Sequence, residues 1–359
     1  MSIPDYLIEQ TRDAADIGTW AARYIPSLKP GGASLVGLCP FHPDKKPSFS
    51  VSPSRGIAKC FSCGKTVDVF GLVMHFERIE FPQAVRLVAR ECGIDIPDRE
   101  ETPAEREARS AQATERAQLE WVNAFAGRWF AAQLTGADGA SAREYLTRRG
   151  ITPEQRDAWG IGYAPAGYGT LRSAIHDAAE ARKPGAGRKA VLAAVRAGLL
   201  RDADEAGRPP FERFRDRVML PIRTVRGVVC GFGGRALREP DANGKPAKYL
   251  NSAESAIFKK SELLYGLDSA ADAIRSEGQA VIVEGYFDVI ACHAAGITNA
   301  VAALGTAFGE AHVRLLAKYA KSVVLLFDAD GAGQKAAARA MELCTHGGLA
   351  CRVASTAMA

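Results

Sequence analysis

Residues 39–63 read CPFHPDKKPSFSVSPSRGIAKCFSC, and the two ends of this stretch constrain how the first part of the chain can fold. Cys39 and His42 form one close pair, Cys60 and Cys63 a second, and seventeen residues separate the pairs. Each two-residue spacing lets both side chains of a short knuckle converge on one ion. Three thiolates and an imidazole are a donor set of tetrahedral Zn²⁺. Four protein ligands leave no open position for water, so such an ion organises a small fold and does no chemistry. Buried thiols beside a satisfied histidine are the plain alternative, and the double pairing argues against it. Between the pairs lie Lys45, Lys46, Phe49, Val51, Arg55, Ile57 and Lys59. Alternation over 48–51 and 56–59 predicts a short antiparallel sheet with basic and aromatic groups on its face. With Phe49 and Phe61 available for stacking, that face suits single-stranded nucleic acid; a solvated sheet is the bland reading.

At 359 residues the chain has room for two or three domains, and 47% apolar with 24% charged residues is ordinary for globular proteins. No apolar run reaches membrane-spanning length, and the N-terminus has neither a basic n-region nor an h-region, so a cytoplasmic protein is expected. Cys92, Cys230, Cys292, Cys344 and Cys351 sit in apolar periodic stretches and read as reduced core thiols. A net charge of +5 permits a nucleic-acid partner without requiring one.

Beyond the cluster, 67–76 and 81–89 have helical apolar spacing, with Pro82 near a helix start and Gly93 just past its end. His75 falls on a helix face there and is not a fifth ligand. Residues 98–118 carry Ala, Glu and Arg and read as a mobile or exposed helical linker. An aromatic amphipathic helix opens near Leu119 (Trp121, Phe125, Trp129, Phe130), Thr152-Pro-Glu-Gln resembles a capping box, and 178–187 reads as a loop. Residues 218–223 and 227–232 read as a hairpin. From 280 onward strands and helices alternate, the order of a parallel sheet covered on both faces.

In open parallel sheets functional groups gather at the carboxyl ends of strands. Glu284 directly follows the strand at 280–283, with Asp288 four residues on; Asp328 and Asp330 follow the strand at 322–327. Four acids without basic partners repel one another unless a cation sits among them, and hard oxygen ligands suit Mg²⁺ or Mn²⁺. Two such ions can activate a 3′-hydroxyl and neutralise a pyrophosphate leaving group. Helix N-capping is the alternative role for any one of these acids.

Glu284-Gly-Tyr-Phe-Asp288, Leu304-Gly-Thr306 and Asp328-Ala-Asp-Gly-Ala-Gly333 resemble the Toprim module of primases, topoisomerases and some nucleases. Segments 148–151, 159–165, 215–223, 231–235, 248–252 and 258–266, with the metal cluster, narrow the resemblance to bacterial DnaG-type primases. The resemblance implies a multidomain α+β and α/β chain. A zinc-ribbon-like domain would span 1–97, a linker 98–118, a basic mixed α+β subdomain of the RNA polymerase domain 119–275, and an incomplete Toprim parallel-sheet subdomain 276–359. It further implies synthesis of short RNA primers from NTPs on single-stranded DNA, with Glu284, Asp288, Asp328 and Asp330 holding Mg²⁺ or Mn²⁺. Arg149, Arg217, Arg223, Arg235, Lys248, Asn251 and Lys260 would contact template and nucleotide. Seven arginines against one aspartate between Arg213 and Arg238 agree with a phosphate footprint. A replicative helicase is the partner expected of the family, but its binding domain is absent here. The chain also stops at Ala359, before a further acidic cluster of the family. A truncated primase, a non-catalytic single-stranded-DNA binder and another Toprim enzyme, such as a topoisomerase or nuclease, are therefore the readings in order.

Replacing Cys60 by serine should lower zinc content and remove the unfolding transition of the first module. Metal analysis with a thermal melt checks this; an unchanged first transition would count against a structural zinc.

Overall fold

The computed structural model describes residues 3–96, 103–202, 209–239, 246–305, 307–327 and 331–355. They form two compact units: Met1–Gln112 with Ala271–Glu277, and Ala113–Ala270 with Gly278–Ala359.

In the first unit α1 (Asp5–Ala14) and α2 (Ile17–Tyr24) lead into an antiparallel sheet of β1 (Lys29–Gly31), β2 (Ser34–Gly37), β3 (Phe49–Ser52), β4 (Ile57–Cys60) and β5 (Thr66–Val67), in sequential order. Helices α3 (Val69–Glu77) and α4 (Phe81–Glu91) follow. Asp68 caps α3 by accepting from the Gly71 N–H at 2.9 Å, and Glu80 with Gln83 makes a capping box on α4. One face of the sheet packs Phe49, Val51 and Ala58 against Trp20, Phe70, Leu72 and Val85. Phe49 is fully buried, which corrects the expectation that it is free to stack on a base. Strand alternation sends it inward with Val51, and it serves the core.

Helix α5 (Pro103–Thr135) begins inside the stretch expected to be a linker, its residues to Gln112 counted with the first unit and those from Ala113 with the second, and continues as the aromatic helix. Then come α6 (Ala140–Arg148), α7 (Pro153–Trp159), β6 (Gly162–Ala164), α8 (Thr170–Arg182) and α9 (Gly187–Arg196). The expected loop at 178–187 is helical to Arg182, because Ile175 and Ala179 continue the buried stripe of α8. Strands β7 (Leu200–Arg201) and β8 (Phe211–Glu212) make a small ribbon. The hairpin of β9 (Arg217–Arg223) and β10 (Val229–Ala236) forms as read, and with β6 and β11 (Tyr249–Asn251) completes an antiparallel sheet ordered β11-β10-β9-β6.

The last part alternates as expected. Strand β12 (Leu264–Tyr265) precedes α10 (Leu267–Glu277), β13 (Gln279–Val283), α11 (Tyr286–Ala294), β14 (Ala300–Ala303), α12 (Glu310–Leu316), β15 (Ser322–Phe327), α13 (Gly331–His346) and β16 (Ala350–Ser355). The sheet order is β12-β14-β13-β15-β16. All pairings are parallel except β12 with β14, an antiparallel edge too short to carry a signal in the sequence.

The two large sheets of this unit share one core, in which Val218, Leu220 and Ile222 of β9 meet Val281, Val283, Tyr286 and Phe287. Gly233 of β10 is what lets them approach. A Cβ there would lie 2.5 Å from the Tyr286 ring and 2.6 Å from its hydroxyl. Gly233→Ala should therefore cost about 1–3 kcal/mol by forcing Tyr286 aside. A lower urea midpoint for the second unit, with zinc content unchanged, is the expected result.

Candidate metal centre and nucleic-acid interface

The four ligand atoms of Cys39, His42, Cys60 and Cys63 lie within 4.8 Å of one another. Cys39 Sγ is 4.0 Å from Cys63 Sγ, and Cys60 Sγ is 4.0 Å from His42 Nδ1. A zinc ion with Zn–S bonds of 2.3 Å sets tetrahedral S···S edges of about 3.8 Å, so the residues fit Zn²⁺. Backbone donors already face the sulfurs: Phe41 N–H points to Cys39 Sγ at 3.4 Å, and Ser62 and Cys63 N–H to Cys60 Sγ at 3.3 Å each. Burial works against the Cys60 thiolate, but the donors from Cys63, Ser48 and Ser62 outweigh it and bring the thiol down to about 6. Burial pushes Cys39 up to about 11. Asp44 ties the knuckle to β3, accepting from the Cys39 N–H at 3.0 Å and the Ser48 hydroxyl at 2.6 Å. His75 stands on α3 with Nε2 3.2 Å from the Pro40 carbonyl, outside the ligand set as expected.

Glu284 follows the last residue of β13, Gly285 opens α11 in an extended conformation, and Asp288 lies in the first helical turn. Both acids are exposed. Strands β13 and β15 pair in parallel from Gln279↔Ser322 to Ile282↔Leu325, so their carboxyl ends share one sheet edge. Asp328 and Asp330, expected to join the acids, lie outside the described residues, as does Thr306.

A cationic and aromatic rim adjoins Phe287, the residue before Asp288. The Arg149 guanidinium sits 5.0 Å from the ring of Phe287 and 5.1 Å from that of Tyr145. Arg235 lies 5.5 Å from the Tyr145 ring and 5.6 Å from that of Tyr249. Burial raises the Tyr249 phenol; the charge of Asp288 adds to the rise, while Arg149 and Arg235 oppose it. Glu239 is held below the usual carboxylate range by its 2.7 Å bond from Arg235, with Lys248 and Arg149 assisting. Thus Arg149, Arg235, Lys248 and Asp288 share one neighbourhood. Arg149 and Lys248 are exposed, whereas Arg235 is 1% exposed and stands beneath the rim rather than open to a channel.

The remaining expected contacts are placed differently. Asn251 spends its side chain inside the protein: Oδ1 accepts from the Tyr286 hydroxyl at 2.7 Å and Nδ2 donates to the Leu304 carbonyl at 2.7 Å. Arg217 is buried and donates to the Gly234 carbonyl at 3.0 Å. Arg223 is apart from the rim, donating to the Trp159 carbonyl at 3.1 Å with Asp268 at 3.9 Å. Lys260 is half-buried before β12, and its carbonyl accepts from His312 Nε2 at 3.2 Å.

One exposed stacked pair escaped the reading of the sequence. Tyr168 is 65% exposed, and the Arg215 guanidinium stacks 4.0 Å from its ring centroid. The platform is built by its neighbours. Buried Glu212 accepts from the N–H groups of Gly169, Leu171 and Arg172 at 2.6, 3.0 and 3.3 Å, which pins the start of α8 just after Tyr168. Asp216, at φ 52°, turns the chain so that Arg215 points out and Arg217 in. Tyr168 lies in a loop with no periodicity, and its arginine is forty-seven positions away; only the exposed aromatic hinted at it.

Comparison with known proteins agrees in chain order. Residues 3–104 match the CHC2 zinc finger, 129–271 the N-terminal domain of the DNA primase catalytic core, and 281–358 a Toprim-like family. A DNA primase of Streptomyces coelicolor is 40% identical over 348 residues, covering 95% of this chain and 51% of that protein. One from Deinococcus radiodurans is 43% identical over 314 residues, covering 87% and 50%. The chain thus spans about half the length of these curated relatives. Among solved structures, the zinc-binding and RNA polymerase domains of Aquifex aeolicus primase are similar at TM-score 0.57 and 31% identity, covering 100% of this chain and 80% of that one. A DnaG primase catalytic domain bound to ssDNA is similar at TM-score 0.58 and 34% identity, covering 68% and 74%.

Glu212→Ala should unpin Tyr168 and cost about 3 kcal/mol by stranding buried N–H donors. A lowered denaturant midpoint together with faster amide exchange at 169–172 is the expected pattern; exchange unchanged at those amides would refute the cap.

Proposed function

This chain belongs to the bacterial DNA primase family, and on that premise we propose that it carries out templated synthesis of short RNA primers from NTPs on single-stranded DNA. The observation that carries the reading is the pair Glu284 and Asp288 at the carboxyl end of β13, with Arg149 stacked on Phe287 beside Asp288 and Arg235 and Lys248 nearby about Tyr249 and Glu239. Carboxylates at that edge bind divalent metal, and the cations beside them bind the anionic chain of a nucleotide. Such a mixture suits phosphoryl chemistry better than acids or bases alone.

Glu284 and Asp288, with Asp328 and Asp330, would hold Mg²⁺ or Mn²⁺. Bound there, the metal supplies Lewis-acid stabilisation of charge on the reacting phosphate. The chain's own residues do the positioning. Arg149 and Lys248 are exposed and free to approach a triphosphate, while Arg235 beneath them keeps the local potential positive in a partly desolvated setting. Tyr168 and Arg215 offer a flat stacked surface on which a template base can lie, a sequence-tolerant contact. A zinc ion held by Cys39, His42, Cys60 and Cys63 would have every position filled by protein and would act through the fold. A zinc-binding domain over 1–97, a linker at 98–118, a basic subdomain over 119–275 and a Toprim subdomain from 276 fit this division of labour. The reading implies a cytoplasmic protein; among the described residues no helix is long and apolar enough to cross a membrane.

The test incubates the chain with single-stranded DNA, labelled NTPs and Mg²⁺ or Mn²⁺, and looks for short RNA products. Glu284→Gln and Asp328→Asn should each lower product formation by about 100-fold or more while zinc content stays constant. Product formed at the wild-type rate by either variant would remove these acids from the reaction.

A further inference from the structure

His312, in the first turns of α12, has no role in the proposed function, and its two ring nitrogens face partners of opposite kind. Nδ1 accepts from the Gly309 N–H at 3.1 Å; an amide N–H can only donate, so Nδ1 carries the lone pair. Nε2 faces the Lys260 carbonyl at 3.2 Å; a carbonyl can only accept, so Nε2 carries the hydrogen. Gly309 thereby selects the tautomer that donates to Lys260. The ring is 1% exposed and stacks on Phe308, with centroids 5.5 Å and planes 20° apart, which fixes its orientation. Burial holds the imidazole below its ordinary value, so the ring stays neutral and keeps this pattern at neutral pH.

Lys260 is clamped through its backbone and uncommitted at its ammonium. Its N–H donates to Glu254 Oε1 at 3.2 Å while its carbonyl accepts from His312, so the residue is held on both sides. The neighbouring Lys259 spends its charge on Glu262 at 3.2 Å. Lys260 is half-buried, and among the described residues its ammonium has no hydrogen bond or ion pair. Strand register places this clamp. Leu264 and Tyr265 of β12 pair antiparallel with Ala303 and Ala302, while Val283 of β13 pairs in parallel with Ala302. The chain therefore enters β12 at the sheet edge where Glu284 leaves β13, two strands away, or about 10 Å at ordinary strand spacing. A partly desolvated ammonium on a fixed backbone beside a carboxylate edge complements phosphate oxygens that arrive with a divalent counter-ion.

We infer that His312 is a positioning residue: through Nε2–H it holds the backbone of Lys260 so that the Lys260 ammonium meets the triphosphate of the incoming nucleotide. The nucleotide is that of the priming reading, on which this rests; the histidine itself touches neither nucleotide nor metal. Its ring joins the segment after β14 to the turn before β12, and both lie at the edge that carries Glu284.

The test measures the equilibrium affinity of the full zinc-loaded chain for fluorescent GTP with Mg²⁺. Lys260→Ala should weaken binding roughly 10-fold, the loss of one charge-assisted contact. His312→Ala should weaken it to a similar degree, and the double variant should bind no worse than Lys260→Ala alone, because the histidine acts through the lysine. Two conservative variants separate positioning from folding. A glutamine amide can place an N–H where Nε2 stands, and an asparagine oxygen can stand in for Nδ1. His312→Gln should therefore bind close to wild type, while His312→Asn, which keeps only the acceptor for Gly309, should be as weak as Lys260→Ala. Where His312→Ala fails to fold, this pair decides. Additive losses in the double variant, wild-type affinity in His312→Asn, or equal weakening by the Gln and Asn variants would each overturn the inference. If Arg149→Ala weakens binding but Lys260→Ala does not, the clamp is refuted and the priming reading stands. If the wild-type chain binds no GTP, both fail.

Discussion

The contact between Asn251 and Tyr286 joins the two sheets of the second unit, and the arrangement of the candidate active site follows from it. Tyr286 is the first residue of α11, two positions before Asp288. Its hydroxyl is buried, and burial raises the phenol well above its ordinary value, so it remains a neutral donor to Asn251. Asn251 in turn holds the carbonyl of Leu304 at the exit of β14. One amide therefore ties the last strand of the antiparallel sheet to two elements of the parallel one. The approach is close enough that no side chain larger than hydrogen fits at position 233. With the sheets locked this way, Asp288 in the first turn of α11, Arg149 just past α6 and Arg235 of β10 gather around Tyr249.

The basic character of this site is divided between open and buried cations. Arg149 and Lys248 are exposed, while Arg217 and Arg235 are embedded. Burial lowers the proton affinity of Arg217, and the neighbouring Arg235 lowers it further. Two guanidinium groups kept so close cost desolvation energy, and the fold offsets that cost with carbonyl acceptors and aromatic faces. Arginine is suited to such a place, since its delocalised charge is weakly hydrated and stacks on tyrosine.

In the first unit the metal cluster and the hydrophobic core share the strands. Cys60 alternates inward beside Phe49, so the same pleat that buries the core delivers a ligand to the zinc. The opposite phase of that pleat carries Ser50, Lys59 and Phe61 to solvent. Phe49 and Phe61 have equal claim to stacking when read as letters, and their separation is a matter of strand phase.

By itself the sequence determined which chemistries were present. Cys39, His42, Cys60 and Cys63 were legible because ligand spacing is a local property, and the alternating strands and helices after 280 because period and order are local too. Glu284 and Asp288 were legible as strand-end acids for the same reason. Only the tertiary structure decided which cations share a site. Arg223 lies on the same strand as Arg217 yet is bound to Trp159 and Asp268, and Asn251 proved to be a bridge between sheets. Tyr168 and Arg215 met only because a buried glutamate and a left-handed aspartate set their backbones. Side-chain partnership across tens of residues depends on strand register, helix caps and close backbone approach. None of these leaves a periodic mark in the chain, so they became visible only once the sheets were packed.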